Sequence, residues 1–384
     1  MTTLVRAPRV VTAAADLADG WIAVTDGRVA AVGTGPAPDH DAVVEAPGTV
    51  VPGFVDLHAH GALGHDFASC SVDEARAAVA HHADRGTAHL VASIATGTVP
   101  DTVAALHRLR PLVADGTLAG LHLEGPWLAP ARRGAHAAAL LHPPTATEVE
   151  LLVDAGGPAL RIVTLAPERP GAGDAVRRLV DAGVIAAIGH TDADTEQVQR
   201  AVDAGATLVT HLFNGMPPLH HREPGPVGVA LTDERLTVEC IVDGHHLDAV
   251  AVGLVRRAAG SRLVFVSDAM AATGCADGAY RIAGSDVVVE GGVAMLADGS
   301  SLAGSTITVG DAVARVLAAG PSATSAGEAR PASADPGAVR EAVAASSVHA
   351  AALLGLRPPL SVGSAADLVV LDPEGRPTVL EVPA

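Results

Sequence analysis

Through the middle of the chain, short apolar runs alternate with polar stretches rich in Ala, Arg and Asp. The apolar runs end near His60, Thr96, Glu124, Ala166, His190, His211, Asp243 and Asp268. Runs of this length read as buried strands. Between them, Val72 to Asp84, Thr102 to Leu112, Gly173 to Asp181 and Thr195 to Asp203 carry the periodicity of amphipathic helices. Strand ends recur about every 30 residues, the size of one βα unit. Eight such units predict an α/β fold, a closed parallel (β/α)8 TIM-like barrel rather than an open sheet.

The two ends of the chain read differently. Trp21 to Thr25 and Arg28 to Gly33 flank Asp26-Gly27, a hairpin signal because Gly accepts the positive φ of the turn. Ala366 to Leu371 and Thr378 to Val382 repeat the pattern around a Pro/Gly turn. They predict a small β-sandwich domain assembled from both termini, residues 1–50 and 356–384, around a barrel spanning 51–355. After the eighth strand, Ala279 to Leu296 reads as a hairpin turning at Gly291-Gly292. Helices at Val309 to Ala319 and Gly337 to Leu354 follow, separated by a Ser/Ala/Pro/Gly-rich stretch, 320–336, that reads as a mobile surface loop.

Five strand ends carry side chains suited to a divalent metal. Alternate residues of a strand share a face, so His58 and His60 project together from the end of Val51 to His60. Two neutral imidazoles suit a zinc-like ion. Gly125-Pro126 turns the chain away after Glu124 and leaves its carboxylate at a strand tip. His190 and His211 end successive strands, 21 residues apart. With Glu124 they form a His2Glu set that leaves a position for water. His122, on the same face as Glu124, reads as a supporting hydrogen-bond partner. Asp268 can take a proton from water and deliver it to a leaving group. Singly, each has an ordinary reading as a hydrogen-bonded core histidine or a helix-capping acid. Their common register points to a metal-centred site at a barrel mouth.

Composition narrows the chemistry. The chain has 384 residues and a net charge of −18, which argues against nucleic acid as a partner. All 25 basic residues are Arg, so a Schiff-base or carbamylated lysine is excluded, and a bridging carboxylate must be Asp or Glu. Aromatics make up only 2%, leaving Ala, Val and Leu to fill the core. Cys70, Cys240 and Cys275 are too few for a disulfide framework and fit a reducing cytoplasm; Cys240 reads as a small core residue. No signal peptide and no apolar run of about 18 residues is evident, so a soluble cytoplasmic protein with no membrane partner is expected.

Taken together, His58-x-His60, His122-Leu-Glu124-Gly-Pro126, Gly189-His190-Thr191, Thr210-His211-Leu-Phe-Asn214-Gly215-Met216, Asp243-Gly-His245-His246 and Ser267-Asp268-Ala-Met270 resemble the N-acetylglucosamine-6-phosphate deacetylase family of the amidohydrolase superfamily. The match runs in order from Pro52 to about Gly304. The resemblance implies metal-dependent hydrolysis of N-acetyl-D-glucosamine 6-phosphate to D-glucosamine 6-phosphate and acetate. It implies a principal divalent metal on Glu124, His190 and His211, zinc first, with Fe2+, Mn2+ or Co2+ as alternatives. His58 and His60 make a second ion expected as an option.

By the same match His136 contacts substrate and polarises the acetamide carbonyl. Ala135, Asn214, Gly215, Leu302, Ala303 and Gly304 line the sugar pocket, His246 binds substrate, and Arg222 is directed at the phosphate. A homodimer is implied, in which Arg222 serves its own or the neighbouring subunit. Two positions depart from the family: Gly215 replaces its usual Ala, and His245 precedes His246 where an aliphatic residue is common, leaving open which of the pair faces substrate. His220 and His221 assist phosphate or lie in a loop, and Arg132-Arg133 read as a solvated loop. N-acetylgalactosamine-6-phosphate deacetylation, another amidohydrolase reaction on a cyclic or N-acyl amide, and a non-catalytic metal-bearing protein stay open as alternatives. Asp268 argues against the last.

Overall fold

The computed structural model describes residues 1–319 and 335–383, so most of the predicted loop 320–336 lies outside the described residues. Eight strands form one sheet in chain order: β1 (Phe54–Ala59), β2 (Thr87–Ala95), β3 (Gly120–Glu124), β4 (Leu160–Leu165), β5 (Ile185–Ile188), β6 (Leu208–Val209), β7 (Thr237–Ile241) and β8 (Leu263–Val266). Each ends within two residues of the position expected from the apolar runs. A parallel bridge from Ala59 to Ala269, with Asp268 N–H donating to His58 O at 2.8 Å, joins the last strand to the first and closes the barrel. The strands read as continuous apolar runs because both faces are buried. The polar exceptions, among them His58, Ser93, His122, Thr164 and Glu239, are buried as well.

Helices Val72–Ala83, Ala172–Asp181 and Thr195–Asp203 follow the predicted bounds closely. The helix expected from Thr102 begins at Val99, because the Thr98 side chain accepts from Asp101 N–H and Pro100 is tolerated in a first turn. Asp194 and Gln197 close a capping box at the start of Thr195–Asp203. The predicted C-terminal helix holds a π turn, Ala344–Val348, that apolar periodicity does not reveal.

The termini share a seven-stranded sheet in which Leu368–Leu371 runs antiparallel to Thr49–Pro52. Its hairpin turns at Asp26-Gly27, both at positive φ, as the twist of a two-residue loop requires. Val5, Val10, Ile22, Val24, Val50 and Leu368 form its core. The expected excursion after the eighth strand is a three-stranded antiparallel sheet: the turn at Gly291-Gly292 is joined by a second at Ala283-Gly284. Two compact units result. One holds Met1–Asp56, His82–His89 and the chain from Thr308 onward; the other holds Leu57–His81 and Leu90–Ile307.

Phe265 is fully buried in β8. Phe265→Ala is expected to cost about 3–5 kcal/mol through lost burial and a residual cavity, read as a lowered melting temperature in thermal denaturation.

Candidate active site

His190, His211 and Asp268 each stand two residues beyond the end of a barrel strand, and each has positive φ, 46°, 27° and 50° respectively. Non-glycine residues hold such a conformation at a cost of about 1–3 kcal/mol each, sustained only where surrounding structure enforces it. The same backbone device, used three times, turns a polar side chain at the barrel mouth. Gly189 precedes His190 because a Cβ there would come within 2.8 Å of Thr164 and Thr210.

The side chains converge on Glu124. Its Oε1 lies 3.0 Å from both His190 Nε2 and His211 Nε2, and these two nitrogens are 3.1 Å apart. Its Oε2 lies 3.2 Å from His60 Nε2 and 3.2 Å from His136 Nε2. A second group adjoins the first: His58 Nε2 is 3.1 Å from His60 Nε2 and 3.5 Å from Asp268 Oδ1, and His60 Nε2 is 3.3 Å from the same oxygen. Glu124, His190 and His211 therefore make one candidate metal group, and His58, His60 and Asp268 another.

The donors fit a divalent cation. Their separations resemble the ligand–ligand edges of a tetrahedral zinc site, about 3.3 Å for bonds of about 2.0–2.1 Å. Charge points the same way. Burial disfavours ionisation of Glu124, yet the imidazoles of His58, His136 and His190 hold its carboxyl well below the usual range. Asp268 is likewise held low against burial by His58 and His60. Conversely, burial disfavours the His60 imidazolium, but Asp268 and Glu124 push it up to about 9. The buried carboxylates demand positive charge, which a metal would supply.

Around these groups, neutral partners fix orientation. His122, pushed well down by burial and by His58, takes no place among the donors. It hydrogen-bonds Ser93 Oγ at 2.9 Å and Thr164 Oγ1 at 2.8 Å, with its ring edge-on to His58. His136 Nδ1 lies 2.8 Å from Thr96 Oγ1 and 3.4 Å from Thr96 N, which directs its Nε2 at Glu124. Burial lowers the His136 pKa, which favours the uncharged ring. His246 Nδ1 donates to Asp243 Oδ2 at 2.7 Å. Burial opposes the Asp243 charge, but His246 and two backbone N–H groups hold that carboxyl at about 2.

One cavity opens onto these groups. Of the expected site residues, His60, Glu124, Ala135, His136, His190, His211, Asn214, Gly215, His246, Asp268, Leu302 and Gly304 line it. His58 lies beneath, fully buried, and Ala303 packs into the adjoining core. His246 faces the cavity while His245 is exposed. A Cβ on Gly215 would stand 2.8 Å from His190 Nδ1, so glycine suits this site. Arg222 is exposed and outside the lining, its Nη1 donating to His221 Nε2 at 2.8 Å. The backbone carbonyl of Arg132 accepts from His190 Nδ1 at 2.7 Å, while its side chain pairs with Asp192 at 2.8 Å. Ala95, Ile282, Ala283 and Ser301 also line the cavity. Nothing in their residue types marked them; the hairpin that carries Ile282 and Ala283 was visible, its direction was not. Cys240 is a buried core thiol, pushed up to about 12 by burial. Among the described residues no helix is long and apolar enough to cross a membrane.

A barrel with an acid–imidazole metal centre at its mouth defines a metal-dependent hydrolase of the amidohydrolase type. Residues 49–383 match the model of the amidohydrolase family, and the chain belongs to that family. It is 36% identical over 322 residues to an N-acetylgalactosamine-6-phosphate deacetylase of Escherichia coli O157:H7, covering 83% of this chain and 84% of that one. It is also 36% identical over 308 residues to an N-acetylglucosamine-6-phosphate deacetylase of Bacillus subtilis, covering 76% of each. Among solved structures, an aspartate-to-alanine variant of N-acetyl-D-glucosamine-6-phosphate deacetylase from Mycobacterium smegmatis, in complex with N-acetyl-D-glucosamine-6-phosphate, superposes with a TM-score of 0.92 at 41% identity, covering 99% of this chain and 97% of that one.

Elemental analysis checks the ligand assignment. Purified Glu124→Gln and His211→Ala proteins, folded by circular dichroism, are expected to retain far less divalent metal than the unaltered protein, because each loses a donor from the same three-atom group.

Proposed function

We propose that this chain hydrolyses N-acetyl-D-glucosamine 6-phosphate to D-glucosamine 6-phosphate and acetate. The carrying observation is that Asp268, His136 and the Glu124–His190–His211 group all face one cavity. The relatives named above supply the substrate class.

Glu124, His190 and His211 would hold the principal ion, and His58, His60 and Asp268 a second; two imidazoles and a carboxylate favour zinc for the first. A divalent ion supplies Lewis acidity and lowers the pKa of water to about 7. Asp268 accepts a proton from the attacking water as the new C–O bond forms at the acetamide carbon. His136 Nε2–H donates to the acyl oxygen as negative charge develops there. When the C–N bond breaks, Asp268 returns the proton to the amine, so acetate and a free amino sugar leave. His246, oriented by Asp243, and the backbone near Asn214, Gly215, Leu302 and Ala303 serve the sugar.

The phosphate calls for a guanidinium, which can bind it bidentately. We assign Arg222 to it. Its place outside the cavity of its own chain favours a homodimer in which it reaches the neighbouring subunit's substrate. Three free cysteines suit a cytoplasmic protein.

Acetate release from N-acetylglucosamine 6-phosphate, its galacto epimer and the unphosphorylated sugar tests the reading. The gluco phosphate is expected to be the best substrate. Asp268→Asn should lower kcat by about 10²–10⁴-fold. Full turnover by that variant, or faster release from the galacto epimer, counts against the assignment.

A further inference from the structure

Glu239 lies in β7 with no exposed surface, a carboxylate in the barrel interior that the mechanism above does not use. One oxygen, Oε2, meets two groups: His58 Nδ1 at 3.2 Å and the backbone N–H of His211 at 3.2 Å. The Glu239 carbonyl also accepts from Leu212 N–H at 2.9 Å. Its other oxygen, Oε1, finds no hydrogen-bond donor among the described residues. Nothing in these contacts needs the full charge of a carboxylate for packing alone; a buried charge survives where positive charge lies close by.

The two metal groups are anchored differently. In the Glu124–His190–His211 group, the fixed imidazole is His190, held at Nδ1 by the neutral carbonyl of Arg132, while His211 Nδ1 has no hydrogen-bond partner among the described residues. In the His58–His60–Asp268 group the fixed imidazole is His58, held at Nδ1 by a carboxylate. A carboxylate behind an imidazole sets its tautomer and raises its basicity as a ligand. Glu239 touches the first group only through the backbone of His211.

We infer that Glu239 is a positioning residue that makes the His58–His60–Asp268 group hold a second divalent ion, by keeping the His58 proton on Nδ1 and its Nε2 lone pair toward Asp268. The inference rests on the metal-dependent reading above and adds to it what sets metal stoichiometry.

Glu239→Gln isolates the charge. Both present contacts fall on one oxygen, so an amide oxygen in its place keeps them while the negative charge is lost. Metal-free protein would be titrated with Zn2+ by calorimetry, with elemental analysis of the loaded samples. The unaltered protein is expected to take two ions. Glu239→Gln should bind the first with unchanged affinity and the second about 10–100-fold more weakly. Two equally tight ions in the variant, or equal weakening of both, overturns the assignment of Glu239. An unaltered protein that takes one ion overturns the two-ion inference but leaves the hydrolase reading standing; one that takes none overturns the metal-dependent reading itself. Should the variant not fold, long-range 1H–15N spectra of the zinc-loaded unaltered protein still decide: a His58 proton on Nδ1 is expected, and a proton on Nε2 overturns the inference.

Discussion

A carboxylate buried within reach of five imidazoles organises the rest of this molecule. Glu124 ends a barrel strand with almost no exposed surface, and His58, His60, His136, His190 and His211 all bring an Nε2 within 3.6 Å of its oxygens. Taking an unpaired carboxylate out of water costs several kcal/mol, so the arrangement persists only if positive charge is gathered around it. The strained backbones at His190 and His211 follow from that requirement, since each brings an imidazole to Glu124.

The barrel makes this possible by separating layers. Apolar residues close the strands against their surroundings, while inward positions carry a hydrogen-bonded tier of Ser93, His122, Thr164 and Thr210. That tier is fully paired and offers its hydroxyls to one another. The reactive groups sit beyond it, at the ends where the strands stop, and there the closing strand matters most. The bridge at Ala59 and Ala269 sets β1 beside the last strand, so His58 and His60 meet Asp268 although more than half the chain separates them.

Strand ends and helices were legible because a doubly buried strand is a short unbroken apolar run and a surface helix has a polar face. The candidate metal-binding residues were legible because His, Asp and Glu are conspicuous at the tips of such runs. Ala95, Ile282, Ala283 and Ser301 carried no comparable signal, for a cavity wall needs shape rather than chemistry. Glu239 leaves one trace, a lone carboxylate inside the apolar run Val238 to Ile241, but without the strand-tip position that distinguishes the other donors. The second turn of the excursion, at Ala283-Gly284, was hidden by the stronger Gly-Gly pair downstream.

By itself, the order of residues determined the period of the strands and helices, the kinds of donor at the strand tips, and the lack of any lysine to bridge them. Tertiary structure decided which atoms meet: that Glu124 stands between two groups, that His246 rather than His245 faces the cavity, that Arg222 stays outside it. The physical reason is that periodicity is a local property of the backbone, whereas the meeting of side chains depends on barrel closure and on the few dihedral angles at each strand end, which neighbouring residues alone do not specify.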